Sequence, residues 1–360
     1  MNSSSRRVEP RRSIHVGVGT RGKSNLRAAL ESGCWRPVAL VDVVPDYLAA
    51  ARELTGLPES ACFTTVESAL EAVASDTVVV ATPVMFHASQ IMAALRAGRH
   101  VLTEKCFTVS LEEAAACVAE AERRDLKLMV VQNARLHPPL RTLRRLISDQ
   151  AYGPLGLFQM SFFKARGAPY HLSPHMHLWQ QGVHELDSVL AVVQRPVRRV
   201  WGLSNNPAWC DWPSESTVQA IIECEGRVSG THLSTSNARG GGFEFRLECA
   251  DAAIICTDRA SGALEVRWGP QSKRTETVPL DSPDTRGLEH HPLAQAVLAG
   301  DTSGRGLGTL IDLRIHRDFF DYVTTAAEPE SSGRRNLDTI RLLDAIQRST
   351  ASGHPVEIGA

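Results

Sequence analysis

None of the eight cysteines (34, 62, 106, 117, 210, 224, 249 and 256) stands in a C-x-x-C pair. Scattered thiols of this kind predict a reduced protein in which cysteine serves as a small apolar residue, so a cytoplasmic location is expected. Charge of one sign is not in excess either. Thirty-nine Lys and Arg face 40 Asp and Glu, which leaves no basic surface for a polyanion and excludes nucleic acid as the expected partner. No apolar run reaches the length of a membrane span. The opening "MNSSSRRVEPRR" is polar and basic, and no long apolar run follows it. Residues 1–12 are therefore expected to form a disordered tail, not a signal peptide.

The 360 residues are enough for two domains. From Ser13 to Asn133, short Val- and Leu-rich strands such as "PVALVDV", "DTVVVATP" and "LKLMVVQN" alternate with helical stretches. Continuous apolar strands joined by helices predict a doubly wound parallel sheet. From residue 134 to 360 the pattern becomes a helix, a series of alternating strands ("LFQMSFFKAR", "TVQAIIECEG", "VSGTHLSTSN", "FEFRLECA") and two closing helices. That predicts an α+β domain with a large, mainly antiparallel sheet, one face of which is open. The fold class is α/β, an N-terminal Rossmann domain followed by the α+β domain.

The stretch "GVGTRGKS" (17–24) fits two signatures. As G-x-x-x-x-G-K-S it is the P-loop of an ATP- or GTP-hydrolysing protein; as G-x-G-x-x-G it is the pyrophosphate turn of a dinucleotide fold. Both open a helix and aim backbone N–H groups at an anion. Asp42, twenty residues after Gly22 at the end of a strand, suits ribose hydroxyls, but also a magnesium-holding acid, so it does not decide between them.

The decision comes from "VVVATPVMFHASQIMAALRAGRHVLTEKCFTVSLEEA", which resembles the Gfo/Idh/MocA oxidoreductases. The resemblance rests on Ala81-Thr82-Pro83, His87, "RAGRHVL" and Glu104-Lys105, continues through "YGPLG" and "GVHELD", and ends in "SGHPVEI". It implies that Gly17, Gly19, Thr20, Arg21, Gly22, Asp42, Thr82, Pro83, His87, Glu104 and Lys105 hold the cofactor. Asp42 is followed by two valines, and its carboxylate would repel a 2′-phosphate, so NAD is favoured over NADP. Arg21 inside the turn is the one feature that leaves NADP open.

The same resemblance implies a dehydrogenase acting on a sugar, sugar derivative or cyclitol. Lys105 matches the lysine of the family's E-K-P motif, which contacts the substrate hydroxyl. The family's D-x-x-x-H pair falls on Gln180 and His184. Glutamine hydrogen-bonds but does not ionise, so His184 is expected to be the acid/base, with Lys105 polarising the oxygen and Gln180 positioning the substrate. His175, His177, Trp179 and Arg135 are further expected substrate contacts, and Asp187 is expected to orient a neighbour. Cysteine replaces the family's proline at 106, which predicts a differently shaped turn after Lys105, with Cys106 either a reactive thiol or a buried one. A zinc site built from His171, His175, His177 and His184 is set aside, because no H-E-x-x-H follows. Two alternatives stay open. One is redox-neutral, NAD-dependent glycoside hydrolysis or elimination through transient sugar oxidation; the other is a non-catalytic regulator that binds NAD(P) and a sugar. Association into a homodimer or homotetramer through the open sheet is also implied.

Overall fold

The computed structural model describes residues 9–169, 175–259, 262–269, 274–300 and 304–359. The chain divides into two compact units, one of residues 1–131 and 284–337, the other of residues 132–283 and 338–360.

In the first unit, β1 (Arg11–Val16), α1 (Thr20–Glu31), β2 (Trp35–Val41), α2 (Pro45–Thr55), β3 (Cys62–Phe63), α3 (Val66–Ala72), β4 (Thr77–Val80), α4 (His87–Arg96), β5 (His100–Thr103), α5 (Leu111–Arg123) and β6 (Leu128–Val130) follow one another. The strands form one parallel sheet in the order β3-β2-β1-β4-β5-β6. The order reverses between β1 and β4, and such a switch point opens a crevice at the carboxyl ends of the strands. Ile14, Leu40, Val78, Val80 and Leu102 are fully buried, as strands covered on both faces require. Most of the expected tail, residues 1–8, lies outside the described residues. Arg11 and Arg12, counted with that tail, instead pair with Trp35 and Arg36 in β1.

The second unit opens with α6 (Pro138–Ser148), then β7 (Leu155–Ala165), a π-helical turn (Leu178–Gly182) and α7 (Val183–Val193). Seven strands follow: β8 (Val197–Asn205), β9 (Thr217–Cys224), β10 (Ser229–Thr235), β11 (Asn237–Cys249), β12 (Ala252–Cys256), β13 (Leu264–Trp268) and β14 (Thr275–Val278). With β7 and β15 (Val356–Glu357) they make a nine-stranded sheet, ordered β14-β13-β12-β11-β7-β10-β9-β8-β15. All its pairs are antiparallel except β7 with β10. Side chains alternate between its faces. The registered row Val200, Ile222, Phe158, Leu247, Ile254 and Val266 is buried. Gly230 interrupts this row because a Cβ there would lie 2.4 Å from the Phe158 ring. On the opposite face Leu157, Trp201, Leu203 and Ile221 are exposed.

Residues 284–337 correct the expected division, which assigns everything after 133 to the second domain. They include α8 (Pro292–Leu298), α9 (Gly304–Thr325) and the start of α10 (Gly333–Ser352), and they belong to the first unit. The cause is packing: α9 buries Leu310, Leu313 and Phe319, and Phe319 stacks on Trp35 at 5.2 Å between ring centroids. Ser331 then accepts a backbone hydrogen bond from Val130.

Candidate active site

The turn from β1 into α1 is shaped for an anion. Gly17 has φ +79°, and a Cβ on it would lie 2.7 Å from the backbone of Ala81 and Thr82. A Cβ on Gly22 would meet the Gly17 carbonyl oxygen. The two glycines thus let the turn lie directly against the end of β4. Helix α1 starts after Gly19 with no side-chain cap and no acid in its first turn, in contrast to α5, where Ser110 caps the N–H of Glu113 at 3.1 Å. The first-turn N–H groups of α1 are therefore left to a ligand. At the end of β2, Asp42 accepts the N–H of Val18 at 2.8 Å and of Val44 at 3.0 Å. These bonds hold its carboxylate beside the turn. Ring atoms of Tyr47 lie 2.9 Å from where a Cβ on Gly19 would stand. This cradle fits the pyrophosphate and ribose of NAD.

Arg21 sits inside that turn, but its guanidinium faces the protein. Nε donates to Glu104 at 2.6 Å, and Nη1 and Nη2 grip Asp312 at 2.8 and 2.9 Å. Asn25, one helical turn on, donates to the same Glu104 oxygen at 2.8 Å. The other oxygen of Glu104 accepts the N–H of Lys105 at 3.2 Å. Glu104 is buried while Lys105 is only half-buried, so the acid acts as a post that ties the lysine to the nucleotide turn.

The Lys105–Cys106 peptide bond is cis, with cysteine in place of the family's proline. Cys106 is buried, and desolvation pushes its thiol up to about 12. Of the two expected roles it takes the buried one, since a reactive thiol needs an accessible thiolate. His87 is likewise buried. Its Nδ1 lies 2.8 Å from the Cys106 carbonyl and its Nε2 2.8 Å from the Thr82 carbonyl, and burial lowers its pKa. It braces the segment after Lys105 against the end of β4. Thr82 donates to Gln90 at 2.6 Å, and Pro83 is exposed.

In the second unit, Gln180 lies on the π-helical turn and His184 in the first turn of α7. Both are half-buried among buried neighbours, and their i,i+4 spacing puts them on one stripe of the helix. Asp187 is fully buried. It accepts the Nε of Arg135 at 2.9 Å and the hydroxyl of Thr339 at 2.9 Å. Arg135, expected to meet substrate, has its planar fork on Asp187 and holds α7 in place.

Two other expected substrate contacts are core residues. His177 is 3 % exposed, with Nε2 3.2 Å from the Ser234 hydroxyl and Nδ1 3.1 Å from that of Ser236. Burial lowers its pKa to about 4. Trp179 is also 3 % exposed and donates Nε1 to Gln347 at 2.8 Å. The helical phase places both under the sheet, where an expected substrate loop would have exposed them. His175 is half-buried at φ +62°, with its N–H bonded to Glu215 at 2.6 Å. His171 lies outside the described residues. Among the described residues no group of three or more His, Cys, Asp or Glu stands ready for a metal.

Sequence reading missed Asp312 and the group of Lys164, Gln181, Glu185 and Arg259. Asp312 is 291 residues from Arg21, with no local pattern to link them. The Gln181–Glu185 pair does carry an i,i+4 signal, one residue out of step with Gln180 and His184.

Comparison with known proteins agrees with this geometry. Residues 12–132 match the family model of the Gfo/Idh/MocA oxidoreductases with an NAD-binding Rossmann fold. Residues 140–255 match the C-terminal domain of the same family. The chain is 33 % identical to inositol 2-dehydrogenase of Rhizobium meliloti, covering 95 % of this chain and 98 % of that one. It is 25 % identical to D-apiose dehydrogenase of Paraburkholderia graminis, covering 95 % and 88 %. In fold it is similar to an Agrobacterium radiobacter oxidoreductase solved with NAD+, L-tartaric acid and magnesium (TM-score 0.80, 19 % identity, 97 % and 98 % covered). It is also similar to levoglucosan dehydrogenase solved with NADH and L-sorbose (TM-score 0.78, 19 % identity, 98 % and 100 % covered). With both family models matched and a full-length relative at 33 % identity, the chain belongs to the Gfo/Idh/MocA family of NAD-binding oxidoreductases.

Proposed function

We propose that the protein is an NAD-dependent dehydrogenase of a secondary alcohol in a sugar, sugar derivative or cyclitol. The observation that carries this reading is Glu104, which ties Lys105 to the glycine turn through Arg21 and Asn25. A lysine anchored to the nucleotide turn suits chemistry at the nicotinamide end of a dinucleotide. Gly17, Gly19, Gly22 and Asp42 hold the cofactor, and NAD bound there supplies the hydride acceptor.

His184 takes the hydroxyl proton as the carbon–hydrogen bond gives up its hydride and the carbonyl forms. The Lys105 ammonium stabilises the developing alkoxide, and Gln180 orients the alcohol through its neutral amide. The names of the relatives, an inositol and an apiose dehydrogenase, support a polyol as the substrate class. The exposed apolar row on the open sheet supports association of copies of this chain. The test is to incubate the protein with NAD and a panel of sugars, sugar acids and cyclitols, following absorbance at 340 nm and product mass. Dehydrogenation yields NADH and a product two mass units lighter. Product formed without NADH would instead show redox-neutral chemistry.

A further inference from the structure

The three glycines of the nucleotide turn are glycine for two different reasons. A Cβ on Gly17 would press on the backbone of Ala81 and Thr82, and one on Gly22 on the Gly17 carbonyl. The packing of the protein itself demands both. Gly19 differs, because the atoms nearest its missing Cβ belong to a side chain. Its backbone is extended, at φ −69°, which any residue adopts, so it is glycine for the space beside it. In a dinucleotide turn that space lets the pyrophosphate approach the backbone.

In this protein a ring fills that space. Cε2, Cδ2 and Cζ of Tyr47, in the first turn of α2, stand 2.9, 3.1 and 3.5 Å from where the Cβ would be. Among the described residues only packing keeps the ring there: Tyr47 is 44 % exposed, and its hydroxyl makes no hydrogen bond. The backbone beneath it is fixed. The Tyr47 N–H bonds to the Val44 carbonyl at 3.1 Å, and the Asp42 carboxylate ties the Val44 N–H to that of Val18 in the turn. Movement is thus confined to the side chain, and exposed side chains exchange rotamers in picoseconds to nanoseconds.

We propose that Tyr47 is a gate on the cofactor site, whose ring must rotate off Gly19 before a pyrophosphate can reach the turn. Ring and pyrophosphate compete for one space. The ring therefore lowers the affinity for NAD and NADH alike, by the fraction of time it spends away from the glycine. The effect is to keep the nucleotide exchangeable between turnovers. The gate goes beyond the dehydrogenase reading and does not depend on it, since the nucleotide is the one ligand it concerns.

The test is stopped-flow binding of NADH to the full-length protein, followed by the fluorescence of the reduced nicotinamide. A gate that flips faster than NADH arrives scales the association rate constant by its open fraction. With the ring away about 10 % of the time, Tyr47→Ala should associate about 10-fold faster than the wild type. Tyr47→Phe, which keeps the ring and loses the hydroxyl, should associate at the wild-type rate. Tyr47→Trp, with a bulkier ring, should be slower than the wild type, and it tests the gate without emptying the site. An association rate in Tyr47→Ala equal to or below that of the wild type overturns the proposal, as does Tyr47→Phe matching Tyr47→Ala. Faster dissociation alone in Tyr47→Ala also overturns it, because Tyr47 would then be a wall that holds bound nucleotide.

Discussion

The Nε of Arg21 lies 2.6 Å from Oε1 of Glu104, while its two terminal nitrogens grip Asp312. The one arginine of the glycine turn is thereby held by two carboxylates, so it is not placed to meet a 2′-phosphate. NAD is expected to bind more tightly than NADP, and Asp42→Ala should narrow the gap. Titration of both cofactors checks this; equal or reversed affinity would contradict the roles given to Asp42 and Arg21.

The same contact predicts coupling between distant residues. In a double-mutant cycle of Arg21→Met and Asp312→Asn, the interaction energy from urea unfolding should be about 0.5–3 kcal/mol. Strict additivity would mean that the ion pair contributes nothing in solution.

Removing Asp187 takes away the carboxylate on which the planar fork of Arg135, a side chain only 10 % exposed, is seated. Asp187→Ala should destabilise the fold by about 3–5 kcal/mol, as for one partner of a buried pair. The double variant Asp187→Leu with Arg135→Met should recover part of that loss. Thermal and urea unfolding distinguish the two; a loss under 1 kcal/mol, on the order of an exposed pair, would refute the role of Asp187.

If the division of roles is right, His184→Ala and Lys105→Ala each lower kcat by about 10²–10⁴-fold. Gln180→Ala should be milder and raise KM more than it lowers kcat. All three should still bind NAD, since none belongs to the pyrophosphate turn. A collapse in Gln180→Ala as deep as that in His184→Ala would show the amide taking part in the chemical step.

Glu185 should mark the pH dependence of stability. Its carboxyl rises from an ordinary 4.5 to about 7 on folding, so between those values the folded state binds a proton that the unfolded state has released. Stability from this group is therefore full below about pH 4.5 and is lost as pH rises toward 7. Glu185→Gln, which stays neutral, should flatten that part of the curve measured by urea unfolding. An unchanged slope would show that Glu185 does not titrate there.

The sequence by itself was enough for the alternation of strand and helix in the first domain, the glycine turn and the family resemblance. Each of these is a local pattern: continuous valine runs read as covered strands, and glycine spacing reads as close backbone approach. The open-faced sheet was legible in the same way, from the two-residue alternation of β9 and β10. Tertiary structure alone decided what lies far apart along the chain. It returned residues 284–337 to the first unit, because the apolar face of α9 finds Trp35 there. It gave Arg21 a partner in Asp312, and it set His177 and Trp179 in the core, because the phase of a helix relative to a sheet is not written in spacing. Gln181, Glu185, Lys164 and Arg259 became one group only on folding, since a strand, a helix turn and a strand end must be brought together before their charges can interact.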